Sequence, residues 1–357
     1  MHYSPLPADS DAFAFDYNYP IISLGLRYHL NRGVTMHRSP DEAWGLAEEV
    51  DYDSRLGNSV SLYASFTRPF FRTGKWMADY TFSFGTAYSK EKYNITDGID
   101  NELIGSRWLI YFGAALHLTY RLTDQWGLRA GWEYYHHSNG ALNRPNKGAN
   151  FTGPMLGVVY MPYYQDVLDR RACIPSHGFK PYCYLNITAA VGCKTLDEDW
   201  KKTQFSTPPD APDYRTDEFR RYAAYALSAD FMYRYQRRWA SGLGVDAFYG
   251  TYAPHVERLD KAAGHNMPHS PFSLGIAAKH EVFWHQWSLS MALGWYLYRH
   301  MGYGASQIET PYYERIGIHY TFARLKGLQL GVNVKAHKTK ADLTEVSLGV
   351  PFRLGKP

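Results

Sequence analysis

Several kinds of segment are missing from this chain, and each absence narrows what it can be. No run of about 18 apolar residues occurs anywhere in the 357, so a helix long enough to span a bilayer is excluded. No dense block of Lys and Arg occurs and the formal net charge is only +4, which argues against nucleic acid as a partner. Cysteine is scarce: Cys173, Cys183 and Cys193 carry no metal-ligand spacing. Cys173 and Cys183 bracket a loop containing Pro and Gly, and a disulfide between them would suit an oxidising compartment. Met1–Asp11 lacks a basic stretch followed by an apolar one, so no secretion signal is visible there.

What the chain does have is aromatic residues, 17% of the total, in a sequence whose mean hydropathy is −0.43. That combination fits strands with one apolar and one wet face and with Trp and Tyr at both membrane interfaces. The patterning is of this kind. Trp108, Ile110, Phe112, Ala114, Leu116, Leu118, Tyr120 and Leu122 alternate with Gly113, His117, Thr119 and Arg121. Leu328, Leu330, Val332 and Val334 alternate likewise with Gln329, Gly331, Asn333 and Lys335. A helix would repeat at three and four instead of two.

Runs of this type predict about 14 strands (12 is the smaller count). They lie near 20–30, 57–71, 74–90, 106–122, 125–138, 150–163, 182–194, 220–236, 238–252, 271–285, 287–300, 311–323, 327–338 and 341–353. Short turns and long loops alternate between them, as in outer-membrane barrels. Two connections break that rhythm: 164–181 is long for an inner turn and 339–340 short for an outer loop. The expectation is an all-β fold, a closed antiparallel transmembrane barrel forming one domain over 1–357. The alternative of a soluble β-sandwich or lipocalin-like barrel would turn the apolar faces inward. If the chain is a transmembrane barrel, its signal has been removed or lies outside this sequence.

The generic pattern breaks in Trp132–Asn150, WEYYHHSNGALNRPNKGAN. Leu128, Ala130, Trp132 and Tyr134 line the apolar face of the strand, and the same parity places His136 and Ser138 next on it. Glu133 and His137 point the other way. Asn150 opens the returning strand with the parity of Leu156 and Val158, so it falls beside His136. A hydroxyl, an imidazole to take its proton and an amide oxygen to orient the imidazole form a nucleophilic triad.

The run His136-His137-Ser138-Asn139-Gly140, followed by Pro145-Asn146-Lys147-Gly148 and Asn150, resembles the lipid A 3-O-deacylase (PagL, acyloxyacyl hydrolase) family of outer-membrane barrels. That resemblance implies a bacterial outer-membrane serine esterase, active toward the outer leaflet, that removes an ester-linked acyl chain from the lipid A of lipopolysaccharide. It implies His136 as base, Ser138 as nucleophile and Asn150 as orienting residue. The oxyanion-hole candidates are the amides near Asn139 and Gly140 and the Asn146 side chain. Arg107, Arg144 and Lys147 are candidates for contacting the substrate's phosphates and sugars. Neither cofactor nor metal is called for, and the oligomeric state stays open.

Two departures stand out. The family's founding member has Glu where this chain has Asn150, and its barrel is smaller, so the likeness covers mainly 106–163. Outer-membrane phospholipase A shares H-x-S-N-G with an Asn fourteen positions past the His, which keeps a glycerophospholipid hydrolase as an alternative. A calcium-dependent enzyme of that kind would draw on Asp97, Asp100 and Glu102. A non-catalytic pore is the third reading. His117, His280 and His319 are scattered singly among strands and predict no metal site. The sequons at Asn150 and Asn186 fall in predicted strands and are read as coincidence.

Overall fold

The computed structural model describes residues 2–3, 5–6, 10–31, 33–38, 40, 48–171 and 178–355. The chain divides into two compact units: 1–139 with 145–178, and 140–144 with 179–357.

The first unit is built on a seven-stranded antiparallel sheet in the order β1 (His2–Tyr3), β2 (Ile21–His29), β5 (Ser59–Arg72), β6 (Trp76–Ser89), β7 (Trp108–Arg121), β8 (Trp126–Ser138) and β9 (Ala149–Tyr160). A separate hairpin, β3 (Val34–Arg38) with β4 (Val50–Ser54), sits in the connection from β2 to β5. The second unit is a closed barrel of β10 (Tyr182–Lys194), β11 (Tyr222–Arg234), β12 (Trp239–Gly250), β13 (His269–Trp284), β14 (Trp287–Met301), β15 (Tyr312–Phe322), β16 (Leu328–His337) and β17 (Lys340–Leu354). Its loops carry short helices, among them Asp197–Lys201 and Ala253–Ala262.

All fourteen long strands lie where period two predicts them. Their closure differs from the expected single ring of about 14 strands. β17 returns to β10, pairing Leu185 with Phe352 and Val191 with Val346, and this seals the ring at eight strands. The earlier strands form their own sheet. Where one domain over 1–357 is expected, two compact units are found, and this explains one irregular connection: 164–181 leads from one unit into the next. The other, Lys338–Thr339, is a tight hairpin with both residues at positive φ, 49° and 66°, as a type I′ turn requires.

The faces are inverted relative to a soluble protein. Leu116, Trp132, Leu156 and Leu243 are exposed, Leu156 to 87%. Charged groups are buried instead. In the first unit Asp79 is fully buried and binds His117 at 2.9 Å and Arg129 at 3.1 Å, while Arg27 pairs with Glu133 at 2.6 Å. In the barrel Asp246 is buried and receives Lys279 at 2.7 Å, the Tyr313 hydroxyl at 2.6 Å and Arg315 at 3.3 Å, and Arg315 also pairs with Glu345. Burying such charges is tolerable only because each is paired. Apolar outside and polar inside is the arrangement for strands facing lipid, which disposes of the soluble sandwich.

Candidate active site

β8 ends and β9 begins around the loop 139–148, and the pairing of these strands sets the site. His136 lies directly opposite Asn150, as strand parity predicts. Their side chains meet: His136 Nδ1 is 2.7 Å from Asn150 Oδ1. An amide oxygen only accepts, so Nδ1 carries the hydrogen and Nε2 keeps its lone pair for a proton from elsewhere. The hydroxyl of Tyr134, on the same face, donates to the same Oδ1 at 2.7 Å. Asn150 is thus held from two sides.

Ser138 follows His136 on this face and is 8% exposed. Among the described residues no hydrogen bond joins its hydroxyl to the imidazole; the two are neighbours two positions apart on one strand. Such bonds often tighten only when substrate is bound. His137 points inward, where its Nε2 lies 3.1 Å from Ser61 Oγ and its ring stacks on His29.

The loop presses on the imidazole. Gly148 has φ +76°, and a Cβ there would come within 2.5 Å of His136 Cε1. A second loop fixes this approach: Lys147 and Gly148 donate their N–H groups to the carbonyls of Glu102 and Leu103, at 3.2 and 3.0 Å. Lys147 also pairs with the buried Glu102 carboxylate.

Of the oxyanion candidates, the Asn139 N–H is engaged, since it donates to Asn146 Oδ1 at 2.9 Å. This leaves the Asn146 amide group as a donor within the first unit; Gly140 belongs to the second. Gly140 and Ala141 both occupy the left-handed region, φ 61° and 69°.

The three basic candidates part company. Arg107 is exposed and its guanidinium donates to the Lys90 carbonyl. Lys147 is half-exposed in its pair with Glu102. Arg144 is 3% exposed and donates through two nitrogens to the Thr195 carbonyl, at 3.1 and 2.9 Å, so burial takes it away from any phosphate. The acidic trio does not converge either: Asp97 faces Arg55 at 3.8 Å and Glu102 faces Lys147. One trio among the described residues has ligand atoms within 4.8 Å of one another, Glu309, His337 and Asp342 in the second unit, where Arg299, Lys194 and Lys335 pair with its carboxylates. His117, His280 and His319 are bonded to Asp79, Ser241 and Asn333. Cys173 lies outside the described residues, and with it the predicted Cys173–Cys183 pairing.

Sequence reasoning missed Tyr134, which it read only as part of the apolar face, and the clamp formed by Gly148. A signal for the second was present in the Pro145-Asn146-Lys147-Gly148 element.

Comparison with known proteins follows the division into two units. Residues 22–159, spanning β2 to β9, match the family "Lipid A 3-O-deacylase (PagL)". Residues 183–355, the closed barrel, match "Acyloxyacyl hydrolase, C-terminal domain". No curated protein matches. Among solved structures, an outer-membrane channel from Pseudomonas putida F1 is 12% identical over 93% of this chain and 94% of its own, with a TM-score of 0.20. Outer membrane phospholipase A from Escherichia coli is 12% identical over 83% of this chain and 84% of its own, with a TM-score of 0.17. Those scores are too low to carry any argument, and the assignment rests on the two family matches, which together span most of the sequence. By them the chain belongs to the lipid A 3-O-deacylase (PagL) family of carboxylic ester hydrolases.

Proposed function

We propose that this protein, integral to the bacterial outer membrane, removes an ester-linked acyl chain from lipid A through Ser138, His136 and Asn150 at the outer-leaflet rim. The observation that carries the reading is the His136 Nδ1 to Asn150 Oδ1 hydrogen bond, which leaves Nε2 basic. His136 takes the proton of Ser138 as Oγ attacks the ester carbonyl. The Asn146 amide group is the donor suited to the oxyanion. When the intermediate collapses, His136 returns the proton to the departing sugar hydroxyl. Water, activated by the same imidazole, then frees the fatty acid from Ser138. A triad on the apolar face also spares the enzyme the cost of lifting the acyl chain out of the bilayer, about 0.8 kcal/mol per CH₂. Mass spectrometry of lipid A and of phospholipids from cells with and without the protein tests the substrate. Shortened phospholipids with unaltered lipid A would replace this reading with the phospholipase one.

Asn150 is neutral, so it orients the imidazole without stabilising the imidazolium. Asn150→Ala is therefore expected to lower kcat by about 10- to 100-fold, less than loss of Ser138, while Asn150→Glu stays active or improves. An inactive but folded Glu variant would break the equivalence with the family's carboxylate.

The lipid-facing assignment has its own test. After the native cysteines are replaced, Leu156→Cys is expected to resist a water-soluble maleimide and to be quenched by a lipid-chain probe. Ready labelling there would remove the substrate's path to Ser138.

A further inference from the structure

Two donors converge on one oxygen within the first unit. Asn150 Oδ1 accepts from His136 Nδ1 and from the Tyr134 hydroxyl, each at 2.7 Å. The register of β8 and β9 brings them there: His136 lies opposite Asn150 and Tyr134 opposite Thr152, so the phenol reaches diagonally to the residue of the next pair. The pair below repeats the step. Trp132 lies opposite Pro154, and its indole N–H donates diagonally to Thr152 Oγ1 at 2.7 Å. The polar atoms of this outward face thus engage one another. Further along β9 the same face carries exposed Leu156 and Val158, and beside such a surface an unpaired polar group is costly.

A carboxamide has two ends, and they impose opposite tautomers on the imidazole. With Oδ1 toward His136, Nδ1 carries the hydrogen and Nε2 is left to take the proton of Ser138. With Nδ2 toward it, the amide donates, Nδ1 accepts, and the hydrogen moves to Nε2, where it blocks the base. The ring has little room to turn away from that choice, because Gly148 abuts it so closely that a Cβ there would lie 2.5 Å from Cε1. A phenol donates more readily than it accepts, since its lone pair is drawn into the ring. Tyr134 therefore favours the oxygen at the end of Asn150 that faces His136.

We propose that Tyr134 is a positioning residue for the esterase: its hydroxyl holds the Asn150 amide with the oxygen toward His136 and so keeps the imidazole in the tautomer that accepts the serine proton. This rests on the triad reading above. It gives a task in the reaction to a residue whose ring belongs to the apolar face.

The test uses the full-length protein in detergent–lipid micelles, with fatty-acid release from lipid A as the assay. Tyr134→Phe keeps the ring and loses only the donor. It is expected to lower kcat about 5- to 10-fold, what one neutral hydrogen bond is worth, at unchanged KM and unchanged heat-modifiability. Made in the Asn150→Glu background, the same change is expected to cost less than about 2-fold, because a carboxylate has no donor end to turn toward the imidazole. Nitrogen NMR of protein labelled in its histidine rings, with the His136 signals identified by their loss in His136→Ala, reads the tautomer without turnover. Hydrogen on Nδ1 is expected in the wild type, and a share on Nε2 in Tyr134→Phe. Wild-type kcat or an unchanged His136 tautomer in folded Tyr134→Phe overturns the proposal. So does an equal loss in both backgrounds, or one that comes with a less stable fold, since either would mark a merely structural role. If Asn150→Glu is itself inactive, the tautomer shift decides alone. Ser138→Ala is run in parallel: if it retains activity, the triad reading has failed, which is a different result from an unchanged tautomer in Tyr134→Phe.

Discussion

Ser138→Ala and His136→Ala are each expected to abolish fatty-acid release from lipid A while leaving a folded, heat-modifiable protein. Ser138 is buried, but neither side chain belongs to a cluster of buried apolar residues, and the backbone pairing with β7 that sets this strand, Phe112 opposite His136 and Ile110 opposite Ser138, does not depend on them. Members of a nucleophilic triad act as a unit, so losses on the order of 10³-fold or more are expected from either, and the double variant should be no worse than the singles. Release rates and the folded fraction are to be measured together on each variant. Normal turnover in folded Ser138→Ala would remove the nucleophile assignment, and additive losses in the double variant would show two independent contributions where one unit is expected.

Gly148→Ala should also be damaging, though less so, and it touches no reacting atom. The new Cβ would lie 2.5 Å from His136 Cε1 and 3.2 Å from Nε2, inside contact distance, on a backbone at φ +76° whose N–H is fixed to the Leu103 carbonyl. With the backbone held, the imidazole must give way. A shift of about 1 Å in a catalytic group costs on the order of 10²-fold in rate, and that fall in kcat is expected here. The strain on folding is about 1–2 kcal/mol, which a barrel of this size tolerates. Gly153→Ala, on β9 just after this loop, is the control, because nothing lies within 4 Å of its added Cβ; it should leave kcat unchanged. Equal activity in both glycine variants would show that the His136 ring is not where the rate is decided.

The strands were legible because their cause is local. A strand near 20–30 is predicted and Ile21–His29 is found; one near 125–138 is predicted and Trp126–Ser138 is found. Each needs only its own alternation and a turn at its end. The pairing of His136 with Asn150 was legible for the same reason, since parity on two strands joined by one loop leaves few registers. The short helices Asp197–Lys201 and Ala253–Ala262 were not read, for they lie in loops with no face repeated often enough to show a period.

Arg144 marks where such reading stops. In the sequence it is a basic residue in a polar loop, indistinguishable from Arg107 or Lys147. Its burial against Thr195 depends on a strand that ends fifty residues later in the chain, and no pattern around position 144 carries that information. Tyr134 is similar: its ring belongs to the apolar face as predicted, but only the cross-strand placement of Asn150 gives its hydroxyl a partner.

By itself, then, the sequence determined which segments are strands, which face of each meets lipid, and that a His, a Ser and an Asn share one face at a strand end. Those are consequences of side-chain alternation and spacing within a few dozen residues. The tertiary structure decided that eight strands close while the others form a separate sheet, that Gly148 abuts the imidazole, and that Arg144 is buried against Thr195. Each of these depends on which distant backbone groups find one another, because a strand's hydrogen-bonding edges are chemically alike and local sequence cannot say which partner each will take.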